Sequence, residues 1–186
     1  MIYFDNASTT KPFDEVLQVF DEINREYFAN PSSNHYFGEK TAHLLNEARD
    51  AVISSLNLNN TYQCLFLSGA TESDNLALKG IAFSYANRGR KIITDAVEHP
   101  AVLIALQQLK EQFGFEVVIL PVRNDGTADP EVLLKAMDDK TILVSVMAVN
   151  NEVGSINDIA SLGQIVHRFH KAFFHGNRLS SRRGHS

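Results

Sequence analysis

Apolar residues first recur at helical spacing after Pro12, where Val16, Leu17, Phe20, Ile23 and Tyr27 fall along one stripe. That stripe predicts a helix, with proline as a first-turn residue. The segment 29–34, Ala-Asn-Pro-Ser-Ser-Asn, is a loop by composition. A second stripe, Leu44, Leu45, Ala48, Val52 and Ile53, predicts an amphipathic helix over 38–56, ended by the polar stretch 57–61.

Beyond this point the period changes. Short apolar runs at 64–67, 91–94, 116–120, 141–147 and 171–175 have strand character, and helical segments fall near 71–87, 100–113, 130–137 and 157–170. Such alternation predicts an α/β fold, a three-layer arrangement with a mainly parallel sheet covered by helices on both faces. Ligands of such sheets gather at the carboxyl ends of the strands, so chemistry is sought in the residues that follow each strand.

Composition narrows the function classes. The 186 residues are 44% hydrophobic and 21% charged, with a formal net charge of -5, as expected of a soluble globular chain with one sizeable core. The acidic balance offers no footprint for nucleic acid, and no apolar run is long enough to cross a membrane. The start, Met1-Ile2-Tyr3-Phe4-Asp5, has neither a basic nor an apolar leader, so a cytoplasmic location is expected. The single cysteine, Cys64, sits in the apolar run 64–67 and is expected to be a buried strand thiol rather than a nucleophile.

Three strand exits carry polar groups suited to a ligand. Ser68-Gly69-Ala70-Thr71-Glu72-Ser73-Asp74-Asn75 is a small-residue turn opening into a helix, where free amides and the Thr71 hydroxyl suit a phosphate. The alternative is that Thr71 and Asp74 merely cap the helix. His99, just before a helix, could stack on an aromatic cofactor, relay a proton, or simply occupy a helix start. In Asn150-Asn151-Glu152-Val153-Gly154 the side-chain amides could bind a ligand oxygen or hold the loop. His167 and His170 lie one helical turn apart, an occasional metal spacing, but no third ligand is evident.

Taken together, Tyr3-Phe4-Asp5-Asn6-Ala7-Ser8-Thr9-Thr10, Asn30-Pro31-Ser32-Ser33, the 68–75 turn, Glu98-His99, and 141–147 leading into 150–154 resemble the cysteine desulfurase family. That family lies within the class V aminotransferase group of pyridoxal-phosphate enzymes, and the likeness runs from residue 1 to about 175. The resemblance implies the large domain of a fold-type I enzyme, with Ala70 and Thr71 on the cofactor phosphate, His99 stacked on the pyridine ring and Asn151 near its 3-hydroxyl. It also implies a homodimer that converts L-cysteine to alanine and passes the sulfur, held as a persulfide, to an acceptor protein for iron–sulfur cluster assembly. The implied organisation is an arm and helix at 1–28 contributing to a small domain, part of the large domain at 29–175, and a tail at 176–186 outside the family pattern.

After Phe173-Phe174-His175 the family pattern would continue with a Val-Asp-Ala-type segment and a glutamine, whereas here the chain reads Gly176-Asn177-Arg178-Leu179-Ser180-Ser181-Arg182-Arg183-Gly184-His185-Ser186. With three arginines and no acidic residue, this tail is expected to be a disordered end produced by a frameshift. The aspartate that pairs with the pyridine nitrogen, the glutamine beside it, the cofactor-linking lysine and the persulfide-forming cysteine are then outside these 186 residues. No catalytic residue is assigned, turnover by this chain alone is not expected, and exposed apolar surface is. The alternatives are another class V enzyme, such as a transaminase or selenocysteine lyase, or a non-catalytic fragment that associates with a full-length paralogue.

Overall fold

In a computed structural model, which describes residues 2–6, 8–59 and 61–177, the chain divides into two compact units, Met1–Phe66 and Leu67–Ser186. Ala7, Asn60 and most of the arginine-bearing tail, from Arg178 onward, lie outside the described residues.

The first unit is helical. Its first helix, α1 (Asp14–Glu26), takes Phe13 as N-cap, so Pro12 precedes the helix instead of opening it. Asp14 and Glu15 in the first turn suit the positive end of the helix dipole. The apolar stripe is present but exposed: Val16, Leu17 and Phe20 all face solvent, and no residue of α1 is buried. The second helix, α2 (Tyr36–Ser55), begins where the His35 ring accepts a hydrogen bond from the Gly38 amide at 3.3 Å. Glycine is required at position 38, because a Cβ there would stand 2.2 Å from the Ser33 carbonyl oxygen. The Asn-Pro-Ser-Ser turn is therefore seated directly on the helix, closed by the Ser33 amide donating to the Asn30 carbonyl at 3.0 Å.

The second unit alternates helix and strand: α3 (Ala70–Tyr85), β1 (Lys91–Asp95), α4 (Pro100–Phe113), β2 (Glu116–Leu120), α5 (Pro130–Ala136), β3 (Thr141–Met147), α6 (Ile159–His167) and β4 (Phe173–Asn177). The strands form one sheet in the order β2-β1-β3-β4, and every pairing is parallel. The near-continuous apolar runs of β1 and β3 follow from this, since central strands of a parallel sheet are covered on both sides. On one face Leu78 and Ala82 of α3 and Val102, Leu106 and Leu109 of α4 pack over Ile92 and Leu143. On the other, Leu133 of α5 and Leu162, Ile165 and Val166 of α6 pack over Ile93, Val144 and Val146. A register shift between Lys91 and Ile92 leaves Ile142 as an extra residue in β3, which explains why Ile142 and Leu143, though adjacent, serve the same side of the core.

Two expectations are corrected here. Residues 64–67 form no strand: Leu65, Phe66 and Leu67 are exposed, and no described residue supplies the ladder of hydrogen bonds that turns an extended apolar run into one. Cys64 is consequently a half-buried thiol outside any strand. The last strand also begins later than the apolar pattern predicts, because 168–172 form the turn that leaves α6.

Candidate functional site

β1 sends its crossover through α4 to β2 on one side, and the chain then returns to place β3 on the other side of β1. This reversal opens a crevice beyond the carboxyl ends of β1 and β3, where doubly wound sheets bind ligands. The exits of both strands meet there. The Asn150 side-chain amide donates to the Val97 carbonyl at 2.8 Å, tying the loop after β3 to the turn after β1.

The start of α3 supplies anion-binding groups. Gly69 is the N-cap and contributes no side-chain hydrogen bond, so the amides of Ala70, Thr71 and Glu72 open the helix without an intrahelical acceptor. The capping alternative for Thr71 and Asp74 is not what forms. Glu72 instead reaches back to the amide and hydroxyl of Ser68, both at 2.7 Å, and these bonds hold its carboxyl below the usual range. Thr71 stays exposed, whereas Asp74 is buried.

Asp74 belongs to a buried polar chain that sequence reasoning missed. Its Oδ1 lies 3.7 Å from His175 Nε2, and His175 Nδ1 lies 3.0 Å from the hydroxyl of Ser145 in the middle of β3. Burial pushes the Asp74 carboxyl up, partly offset by His175 and His99, and burial pushes His175 down despite the attraction of Asp74. The chain couples the second turn of α3 to β3 and β4. Only the polar Ser145 inside an otherwise apolar strand hinted at it.

His99 is the N-cap of α4. Its Nδ1 accepts from the Ala101 amide at 3.1 Å, which leaves the proton on Nε2, and its ring is half-buried. The turn before it is acidic. Asp95 Oδ1 accepts from the Val97 amide at 2.9 Å, and Glu98 is pushed up to about 7, first by burial and then by the charge of Asp95.

The two asparagines after β3 divide the roles left open by sequence. Asn150 is buried and fully engaged: besides its bond to Val97, its Oδ1 accepts from the amides of Glu152 and Val153, each at 2.9 Å. Asn151 is exposed. A third asparagine, Asn157, is also buried; it accepts from the Ala128 amide and donates to the Met147 carbonyl, both at 2.8 Å, and so clamps the end of β3.

Within one unit Thr71 thus stands at the start of α3 and His99 and Asn151 beyond β1 and β3, with these segments joined by the Asn150–Val97 and Asp74–His175–Ser145 links. They offer helix-start amides, an imidazole held at its Nδ1 and an exposed side-chain amide. A cavity of ≈ 320 Å³ lies elsewhere, lined by Leu103, Leu106, Val117 and Ile119, and none of the three residues touches it. His167 ends α6 and His170 lies in the following turn; among the described residues no group of three His, Cys, Asp or Glu is placed to hold a metal ion.

Comparison with known proteins shows the family. The family described as aminotransferase class-V matches residues 2–177. Cysteine desulfurase IscS of Dictyoglomus turgidum is 41% identical over 180 residues, covering 97% of this chain and 45% of that protein. Cysteine desulfurase IscS of Pseudomonas aeruginosa is 42% identical over 183 residues, again covering 97% of this chain and 45% of the relative. A solved structure of a NifS-like protein superposes with a TM-score of 0.90 at 37% identity, over 95% of this chain and 48% of that one. The chain spans less than half the length of these curated relatives. It belongs to the aminotransferase class-V family, a pyridoxal-phosphate-dependent family, and corresponds to the N-terminal part of its cysteine desulfurase members.

Proposed function

We propose that this chain provides the phosphate-binding and ring-binding edge of a pyridoxal-phosphate-dependent cysteine desulfurase. The observation that carries the reading is the division of labour after β3: Asn150 takes all the structural hydrogen bonds, leaving Asn151 free on the shelf shared with His99 and the start of α3.

The donor set fits the cofactor. The amides of Ala70 and Thr71 and the Thr71 hydroxyl would hold a phosphate at the positive end of α3. The His99 ring, held by its bond to Ala101, would lie against the pyridine face, and the Asn151 amide would meet a ring oxygen. When bound, pyridoxal phosphate supplies an electron sink for the carbon skeleton of an amino acid. The protein's share here is to orient the ring and keep its phosphate fixed.

In the proposed activity L-cysteine is converted to alanine and its sulfur leaves as a persulfide for an acceptor protein, with the enzyme acting as a cytoplasmic homodimer. The lysine and cysteine this requires are not assigned to any position among these 186 residues, so the chain assayed alone is expected to release no alanine from cysteine. The reading extends to the organisation: 1–28 serving a small domain, 29–175 the cofactor-binding large domain. Titration of the purified chain with pyridoxal phosphate, against pyridoxal lacking the phosphate, tests the site. Saturable binding that needs the phosphate and weakens at least tenfold in Thr71→Val or Asn151→Ala supports it; equal binding of both compounds by all variants contradicts it.

A further inference from the structure

The turn that carries His99 contains two buried carboxyl groups, each with an oxygen that no donor reaches. Asp95 is 0% and Glu98 4% exposed. Asp95 Oδ1 accepts from Val97, and Glu98 Oε2 accepts from the His99 amide at 3.3 Å. Asp95 Oδ2 and Glu98 Oε1 are buried without any partner among the described residues. Two ionised carboxylates are acceptors only, so no adjustment of the pair alone could satisfy both oxygens. One added proton eases this, because a protonated carboxyl gains a donor of its own and the charge left in the turn falls to one.

The surroundings favour that state. Asp74 of α3 adds a second repulsive charge toward Glu98, the amides of His99 and Met147 hold one side of its carboxyl, and His99 and His175 act on Asp74. We propose that Asp95 and Glu98 together hold one proton in the folded protein and that this pair is a positioning device for the turn holding His99. The functional half of the inference rests on the reading of His99 as a ring contact; the held proton does not. The group that keeps the proton is Glu98, which releases it only at about 7. Above that value two buried negative charges occupy one turn, the turn opens, and the bond from Asn150 to the Val97 carbonyl is strained with it.

Infrared spectra of the full 186-residue chain, taken from the acid to the alkaline side of neutrality, test the proton directly. Pyridoxal-phosphate titrations over the same range test its consequence. The wild type is expected to show a protonated-carboxyl band that fades as the pH passes about 7 and is missing from Glu98→Gln. Cofactor affinity should fall about tenfold across that interval in the wild type and stay within about twofold in Glu98→Gln, whose side chain is uncharged at every pH. A Glu98→Gln variant that keeps the band, or a wild type lacking it on the acid side, would overturn the held proton. A band that behaves as expected in a protein that binds no cofactor at any pH would uphold the proton pair while removing the cofactor reading.

Discussion

Asn150 and Asn151 are chemically identical neighbours at a strand exit, and only the fold tells them apart. Replacing Asn150 by alanine removes three hydrogen bonds from a buried site and leaves the amides of Glu152 and Val153 and the carbonyl of Val97 unpaired. We expect a loss of about 2–3 kcal/mol in denaturant unfolding. Asn151→Ala should leave unfolding unchanged to within about 0.5 kcal/mol, since the side chain is exposed, and lower cofactor affinity. Glu98 gives a pH signature in stability as well. Its folded-state pKa lies above the ordinary 4.5, so its contribution is fully present below 4.5, falls as the pH rises, and is gone by about 7. The loss is about 3 kcal/mol at most, and the slope of the unfolding midpoint against pH should flatten in Glu98→Gln. The sequence places Thr71, His99 and Asn151 after expected strands, and His99 and Asn151 do follow β1 and β3, whereas no strand among the described residues precedes Thr71. The division between the asparagines and the Asp74–His175–Ser145 chain were not legible there, because Ser145 and His175 become neighbours only when β4 lies parallel to β3.

At the scale of elements, apolar periodicity located every helix among the described residues and four of the five expected strands. Ends depended on capping chemistry. α4 stops where Gly114 adopts φ 68°, and its amide closes onto the Leu109 carbonyl. A Gly114→Ala substitution meets no crowding, yet should cost about 1 kcal/mol through the left-handed backbone alone, read by thermal unfolding. Leu106→Ala, by contrast, empties a site between α4 and the sheet and should cost about 2–5 kcal/mol. The expected strand at 64–67 failed for a reason the period cannot supply: an apolar run becomes a strand only if a neighbour pairs with it. α1 makes a related point, since its stripe predicted a helix correctly but left open what, if anything, covers it.

At the scale of the whole molecule, the parallel order β2-β1-β3-β4 brings the segments that follow β1 and β3 side by side, within the stretch that the class V family matches. The relatives extend to more than twice the length matched here, so complete turnover is proposed for the enzyme as a whole and not for these residues alone. We propose that the segments beyond β1 and β3, with the start of α3, form the cofactor site. Amide NMR of the isotopically labelled chain, titrated with pyridoxal phosphate, tests it most directly. Shifts are expected to concentrate at Ala70, Thr71, His99 and Asn151 and to reverse on competition with inorganic phosphate at the α3 start; shifts confined to lysines and their neighbours, with those four amides unmoved, would overturn the assignment.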